Sequence, residues 1–374
     1  MVQAQRLIAV SHGPDSGSRP GRQGGSWPKG RGTADRLRAR LTGYGFLSAA
    51  FLSIGKPPGI AMRTPLLSSG RKGRPPAEPQ VFSASAADNL RGSALMMLSM
   101  AAFICNDALM KAVTQSLPLY ESIAIRGAMV LLTMVLIAQA QGGVRLRVPR
   151  GDVWPLALRT VADVISTVFY LLALRRMALA DISAIMQALP LAVTLAAALF
   201  FHERLGWRRL LAVGIGFLGV LLILRPGTGA FDLWSAVALA AMLLIVLRDL
   251  VTRTFSVGVG SSAIAFYAAL AVMLSGFVLG WTESWRIPTL AEFALLAMAA
   301  GFLTVGYITA VATMRVGEIS VVAPFRYTSL VWAVVLGLAI FGEWPDLWTW
   351  AGSALVVGAG IYTILRERRL QGRG

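Results

Sequence analysis

The chain has 374 residues, a formal net charge of +17 and 56% hydrophobic residues, but only 14% of its residues are charged. So basic a chain would suggest a nucleic-acid-binding protein, yet soluble domains carry roughly 25% charged residues. The apolar excess is larger than one globular core could bury. These numbers exclude an ordinary soluble domain and indicate an all-α, polytopic membrane protein with no nucleic-acid partner.

The side chains needed for metal or covalent chemistry are scarce. The sequence contains one cysteine, Cys105, and two histidines, His12 and His202. A single cysteine excludes an internal disulfide and a cysteine-based metal site. A zinc site or a Ser-His-Asp hydrolase needs a better supply of histidine than this. We therefore expect no metal, no cofactor and no enzymatic activity.

The first segment, residues 1–91, is rich in Arg, Gly, Pro and Ser. Such a composition cannot bury a core, so the segment is predicted to be a disordered basic N-terminal extension. Its apolar patch 41–54 imitates a signal peptide, but the patch is too short to span a bilayer and contains two glycines. Met62 is an alternative initiator, which would place residues 1–61 outside the native protein.

From Ser93 onward, apolar runs of about 20 residues recur, the length that crosses a hydrocarbon core of about 30 Å. We place ten of them near 92–112, 120–141, 153–174, 180–201, 208–225, 232–252, 259–282, 290–313, 318–341 and 347–366. The arginines at the ends of the runs are concentrated on one side, which predicts that both termini are cytoplasmic. Arg far outnumbers Lys and no organelle signal is visible, so a bacterial inner membrane is the expected location.

The runs show an internal duplication. The first and sixth runs align at an offset of 142, which matches Asp107 with Asp249. The fourth and ninth runs align at an offset of 137, which matches Asp181 with Glu318. Five spans per copy is an odd number, so the second copy must cross the membrane in the inverted orientation. Inverted repeats are typical of secondary transporters, which bind substrate near the membrane midplane between the two halves.

Several stretches carry a further resemblance. They are Glu203-Arg-Leu-Gly-Trp-Arg-Arg, Gly214-Ile-Gly-Phe-Leu-Gly-Val, Leu224-Arg-Pro-Gly, Arg126, Pro190 and Ala323-Pro-Phe-Arg-Tyr327 through Phe341-Gly-Glu343. The set resembles the EamA-type repeat of the drug/metabolite transporter superfamily and covers about residues 92–368. The resemblance implies ten helices in two inverted five-helix repeats, 92–227 and 231–367, around a central cavity. Members of that superfamily move amino acids, nucleosides, vitamins, sugars or other small metabolites.

Charged side chains inside the runs are candidate functional residues, because burying a charge in a bilayer is costly. At 1.5 Å per residue, Arg326 and Asp163 lie nearest the midplane. Arg159 precedes Asp163 by one turn, so the two either form a structural salt bridge or serve substrate or proton transfer. Arg326 requires a partner across the bundle or an anionic substrate group. The predicted substrate-binding or coupling residues are Arg326, Asp163, Arg159, Tyr327 and Arg126.

Two charged pairs at helix ends are candidate gates. Asp107 and Lys111 form an i, i+4 pair near the outer end of the first run. Asp249 and Arg253 form the matching pair near the inner end of the sixth run, with Arg248 beside them. These pairs are either self-contained surface salt bridges or gates that exchange partners as access alternates.

Other motifs receive structural interpretations. The acidic residues that begin or precede helices are expected to cap them, because a helix N-terminus favours a carboxylate. They are Asp181, Glu203, Glu318 and Glu343. The run Gly214-Ile-Gly216-Phe-Leu-Gly219 fits a dinucleotide fingerprint, but it lies in a membrane-length run and follows no strand. Close helix packing explains these small residues better.

The sequence thus predicts a secondary transporter that moves a small polar or amphipathic metabolite by alternating access. No P-loop is present, so the chain is expected to use proton coupling, with Asp163 as the carrier, or exchange of solutes. The intramembrane arginines favour a substrate with a carboxylate or phosphate. A membrane-embedded enzyme and a channel-like pore are the alternatives. The expected partners are a small-molecule substrate and membrane lipids, and a homodimer is compatible with the sequence.

Overall fold

The computed structural model describes residues 85–140, 146–202, 206–225, 233–256 and 259–371. Every regular element in those ranges is helical, and three short 3-10 segments, Arg150–Asp152, Gly280–Thr282 and Ala323–Tyr327, join longer helices. The α-helices are α1 (Ala86–Val113), α2 (Leu119–Ala140), α3 (Val153–Arg176), α4 (Leu179–Met186), α5 (Leu189–Phe201), α6 (Trp207–Leu224), α7 (Leu233–Thr252), α8 (Ser261–Leu279), α9 (Leu290–Val316), α10 (Ile319–Val322), α11 (Thr328–Phe341) and α12 (Leu347–Gln371). Within this described part, ten segments are long and apolar enough to cross a membrane. The predicted all-α membrane class and its ten spans are confirmed.

The first span begins earlier than predicted. Ser85 caps α1, because Asp88 N donates to Ser85 Oγ at 3.1 Å and Ser85 N donates to Asp88 Oδ2 at 3.2 Å. The predicted boundary at residue 92 is therefore too late, since residues 86–91 already form the first turns of α1. Residues 1–84, the rest of the predicted extension, lie outside the described residues.

Two of the ten spans are built from broken helices. In the fourth span α4 ends at Met186 and α5 begins at Leu189, with Pro190 in its first turn. In the ninth span α10 passes into the 3-10 segment that contains Pro324, and α11 follows. Proline lacks the N–H of a helical hydrogen bond and clashes with the preceding turn, so it favours a break at these points. The two breaks fall in the spans that the predicted duplication matches.

Four helix pairs form the main contacts: α1 with α9, α3 with α7, α2 with α8, and α6 with α12. If each helix is replaced by its counterpart in the other five-span half, the α1–α9 pair becomes the α7–α3 pair. The α2–α8 pair and the α6–α12 pair are each converted into themselves. This pattern agrees with a duplicated five-span unit, while the inverted orientation of the second copy and the repeat boundaries stay predictions.

Glycine allows two of these pairs to approach at backbone distance. A Cβ atom on Gly219 of α6 would lie 2.6 Å from the carbonyl oxygen of Gly352 in α12, and a Cβ atom on Gly276 of α8 would lie 2.6 Å from Ala124 N in α2. Gly214, in the same motif as Gly219, has no atom within 4 Å of such a Cβ. The packing interpretation of the glycine-rich run is thus confirmed at Gly219.

Candidate functional site

A cavity of about 170 Å³ lies between the middle of the bundle and one of its ends. Helices α2, α3, α7, α8 and α9 line it. Its wall is mostly apolar, with small alanines along α8. The charged residues in the wall are Arg126, Arg159, Asp163 and Arg248. Three of the five predicted substrate-binding residues and one predicted gate residue are therefore brought together, although their roles remain predictions.

Arg248 of α7 holds two carboxylates. Its Nη1 donates to Asp163 Oδ1 at 2.8 Å, and its Nε and Nη2 donate to Asp249 Oδ1 at 3.1 and 3.0 Å. All three side chains are at most 11% exposed. Spacing along α3 did not predict that Asp163 would pair with Arg248 on the neighbouring helix α7. Arg159, which is 1% exposed, donates from Nε to Thr252 Oγ1 at 3.1 Å.

A second polar cluster surrounds Arg126 of α2. Arg126 Nη1 donates to Asn106 Oδ1 at 3.1 Å, and Asn106 Nδ2 donates to Asp107 Oδ1 at 2.9 Å. Tyr170 completes the cluster, because its hydroxyl donates to Asp107 Oδ2 at 2.6 Å. Asn106 thus separates the guanidinium from the carboxylate, so that the cation touches a neutral amide. In the sequence Asn106 precedes Asp107 as Arg248 precedes Asp249.

The predicted gate pairs have other partners. Lys111 does not bond Asp107 among the described residues; its Nζ donates to Met177 O at 2.6 Å and forms a close salt bridge with Glu343. Asp249 is likewise held by Arg248, and within the described ranges the exposed side chain of Arg253 makes no salt bridge to it. In both cases the i, i+4 spacing predicts a pair within one helix. Lys111 instead binds a carboxylate across the bundle, and Asp249 instead binds the adjacent Arg248.

Glu343 connects the two halves at the end of the molecule where α1 stops. Besides Lys111, it accepts from Leu179 N at 3.0 Å and so caps α4, which belongs to the other half. The sequence predicts that Glu343 caps the helix that follows it, but Asp346 does so instead, because its Oδ1 accepts from Thr349 N at 2.8 Å. Glu203, the matching residue of the first half, lies outside the described residues.

We call this end the Lys111 end. Further bonds cross it: Ser116 Oγ donates to Glu292 Oε1 at 2.7 Å, and Tyr120 N donates to Glu283 Oε2 at 3.2 Å. Arg286 Nη1 donates to Glu292 Oε2 at 2.9 Å, and this hydrogen bonding to the Glu292 carboxylate raises the pKa of Arg286 above its ordinary value. The Lys111 end is therefore tied by several polar contacts between the two halves.

The other end of the bundle, which we call the Asp152 end, includes the start of α3 and the segment after α7. Ser256 N donates to Asp152 Oδ1 at 3.0 Å, and the Ser256 hydroxyl also contacts this carboxylate. The cavity lies closer to this end, because Arg248 and Ile264 in its wall are near the α7–α8 junction.

Arg326 and Tyr327 do not line this cavity. Both lie in the 3-10 segment of the broken ninth span, where Gln187 at the break of the fourth span donates to Arg326 O at 3.3 Å and to Ser329 Oγ. The Tyr327 hydroxyl is buried without a hydrogen-bond partner in the described part of the chain and points at Gly360. The predicted substrate-binding or coupling role of these two residues stays a prediction, and their placement in the cavity wall is not observed.

Sequence reasoning did not single out several polar residues of the two clusters, namely Asn106, Tyr170, Thr252 and Tyr307. Tyr307 lines the cavity. A signal for the tyrosines was present, since Tyr170 and Tyr307 match at the same offset of 137 that aligns the fourth and ninth runs. Within the described residues, no group of three His, Cys, Asp or Glu side chains is placed to hold a metal ion.

Comparison with known proteins finds similarity to transporters. Residues 90–225 match the EamA-like transporter family. An S-adenosylmethionine uptake transporter of Rickettsia felis is 24% identical over 50% of this chain, and the match spans 63% of that protein, less than two thirds of its length. The pseudopaline exporter CntI of Pseudomonas aeruginosa is 28% identical over 72% of this chain and 94% of its own. A riboflavin transporter of Vibrio cholerae is 28% identical over 46% of this chain and 58% of its own.

A solved crystal structure has the same fold. It superposes with a TM-score of 0.53 at 20% identity, over 74% of this chain and 99% of the other. The matches confirm the resemblance drawn from the sequence. Together with the ten apolar spans, they identify a multi-pass membrane protein related to transporters of small molecules.

Proposed function

Because residues 90–225 match the EamA-like transporter family, we propose that this chain is a secondary transporter that carries a small polar or amphipathic metabolite by alternating access. The observation that carries the proposal is the cavity, which places buried charged side chains in a mostly apolar wall at membrane depth. Ionisable groups at such depth mark substrate or ion pathways in transporters. The two repeats, 92–227 and 231–367, would move against each other around it.

The orientation and coupling belong to the same proposal. Both termini are cytoplasmic in an inner membrane, so the Lys111 end faces outward and the cavity is closer to the cytoplasm. Either a proton gradient, with Asp163 as the carrier, or exchange with a second solute drives transport. The relatives name three different compounds, S-adenosylmethionine, pseudopaline and riboflavin. They therefore support a small metabolite without agreeing on one.

The function is tested with the purified full chain reconstituted into liposomes. S-adenosylmethionine, riboflavin, amino acids and nucleosides are first screened for an increase in thermal stability, and each compound that stabilises the protein is then tested as a radiolabelled substrate. We expect saturable uptake that is accelerated by unlabelled compound inside the vesicles. An imposed pH gradient separates proton coupling, which it would drive, from exchange.

Two results would oppose this function and favour its alternatives. Flux that rises linearly with concentration and is not accelerated from the opposite side indicates a channel-like pore. Chemical conversion of the compound, with no movement into the vesicles, indicates a membrane-embedded enzyme.

The salt bridge between Lys111 and Glu343 is proposed as the barrier at the Lys111 end. It joins α1 of the first half to the end of α11 in the second half, and Lys111 is only 5% exposed. Opening this end must separate the two residues. We therefore expect that a short bis-methanethiosulfonate, which joins two thiols through disulfides, stops transport when it is applied to a Lys111→Cys/Glu343→Cys variant in a Cys105→Ser background. Reductant should cleave these disulfides and restore transport.

The two single-cysteine variants in the same background are the controls, since they cannot form the cross-link. They should transport equally with and without the reagent. A cross-linked double variant that transports at the rate of its reduced form would show that this salt bridge is not a moving barrier.

A further inference from the structure

The positively charged wall of the cavity suggests the chemical class of its ligand. We infer that the cavity binds substrates through an anionic oxygen group, a carboxylate or phosphate, and that Arg126 is the cation that holds it. This inference rests on the proposed transport function. It also moves the anion-binding role from Arg326, which the sequence favoured, to a residue in the cavity wall.

The geometry of Arg126 is the first support. The residue is 7% exposed and lines the cavity. Its Nη1 is taken by the neutral Asn106 side chain, whereas its Nε has no hydrogen-bond partner in the described part of the chain. An unsatisfied buried N–H is costly, most of all on a charged group. The edge formed by Nε and Nη2 is the one that a carboxylate or phosphate can bind with two parallel hydrogen bonds.

The carboxylates nearby are the second support, because their hydrogen bonds are already made. Asp163, the acidic residue in the described wall of the cavity, accepts from Arg248. Asp107 accepts from Tyr170 and from Asn106, which keeps it from direct contact with Arg126. Neither acid therefore neutralises Arg126 by a direct salt bridge. An anionic ligand would form the direct salt bridge with Arg126 that neither acid forms.

The rest of the cavity fits the body of such a ligand. Apolar side chains make up the rest of the wall: α8 contributes Ala265, Ala268 and Ala269, and α2 contributes Val130. Small apolar side chains leave room and offer no hydrogen bonds. The inferred substrate is thus a small metabolite with an anionic group at one end and a mainly apolar body.

The test compares acids with their neutral counterparts on the purified full chain. The pairs are lactate and lactamide, benzoate and benzamide, and glycerol 3-phosphate and glycerol, together with every compound found by the metabolite screen. Thermal stability is titrated with each compound for the wild type, Arg126→Gln, Arg126→Lys and Arg209→Gln. Arg209 is the matched control, since it is a helix arginine that donates to a neutral side chain, Thr194 Oγ1, outside the cavity.

We expect at least one acid to bind the wild type more tightly than its neutral counterpart. Loss of a hydrogen-bonded charge should weaken that binding about tenfold to hundredfold in Arg126→Gln, with a smaller loss in Arg126→Lys and none in Arg209→Gln. If Arg126→Gln does not fold, the Arg126→Lys result decides, because lysine keeps the charge and loses the two-bond edge. Carboxylate and phosphate pairs that respond differently identify which anion the site prefers.

The inference is overturned if the stabilising compounds are neutral or cationic, or if acids bind the Arg126 variants as tightly as the wild type. Saturable transport of those compounds would leave the proposed function intact in that case. If no compound binds and none is transported, both the proposed function and this inference are wrong.

Discussion

Arg248→Gln should lower the thermal stability of the protein more than removal of any other single charge in the cavity wall. Arg248 neutralises Asp163 and Asp249 at once, through hydrogen bonds of 2.8 to 3.1 Å. Removing the shared cation leaves two buried carboxylates close together without the guanidinium that donates to both of them. Breaking a buried ion pair in this way typically costs about 3–5 kcal/mol. The measurement is thermal unfolding of the variant in detergent, compared with the wild type.

Two variants make this prediction specific. Arg253→Gln removes an exposed arginine from the end of the same helix, and it should change the unfolding temperature little. Arg248→Gln combined with Asp163→Asn and Asp249→Asn removes the two buried negative charges that Arg248 binds, so it should recover much of the lost stability. An Arg248→Gln protein as stable as Arg253→Gln would show that the two carboxylates do not depend on this guanidinium.

Gly219→Val should separate α6 from α12 and strongly destabilise the protein. The new Cβ would lie 2.6 Å from Gly352 O, 2.9 Å from Val356 Cγ2 and 3.0 Å from Leu355 Cβ. A backbone carbonyl cannot move aside as a flexible side chain can, so the two helices must part. Overpacking of this kind costs about 1–3 kcal/mol or more. We expect the loss of stability to be larger in a membrane protein, because small residues at a helix crossing provide much of the packing between membrane helices.

The same motif supplies the control for this prediction. Gly214→Val makes the same chemical change one and a half turns earlier on α6, at a position with no atom within 4 Å of the added Cβ. It should leave the unfolding temperature near that of the wild type. Equal losses in the two variants would mean that valine weakens α6 itself and that the crossing with Gly352 is not the cause.

The spans were predictable because their cause is local. A run of apolar residues long enough to cross a bilayer must be helical, since backbone groups find no other partners in hydrocarbon. Pro190 and Pro324 likewise act on their own helices, and both breaks are where proline would place them. The start of α1 was missed because Ser85 and Asp88 form a cap before the apolar run begins, which hydropathy does not register.

The side-chain partners were not predictable, because they depend on which helices meet. Spacing on one helix suggested that Lys111 pairs with Asp107, but Glu343, far away in sequence, is closer. The depth of Arg326 was inferred by counting residues along an unbroken helix. Depth does not determine which face of the bundle a residue occupies, and the ninth span is not one helix. Arg126 was recognised as a candidate, but its contact with Asn106 needed the fold.

The difference between Asn106 and Arg248 has a consequence for kinetics. The two residues are in equivalent positions of the duplicated halves, yet one is neutral and the other carries a charge bonded to two acids. In the proposed alternating-access cycle, a carrier built from equal halves would have equal energies when open to either side, and one with unequal halves would not. We expect the half-saturation concentration of the substrate to differ between the two faces of the membrane. When no proton or counter-solute gradient is imposed, the substrate must reach equal concentrations on the two sides, so the maximal rates in the two directions must then differ by the same factor.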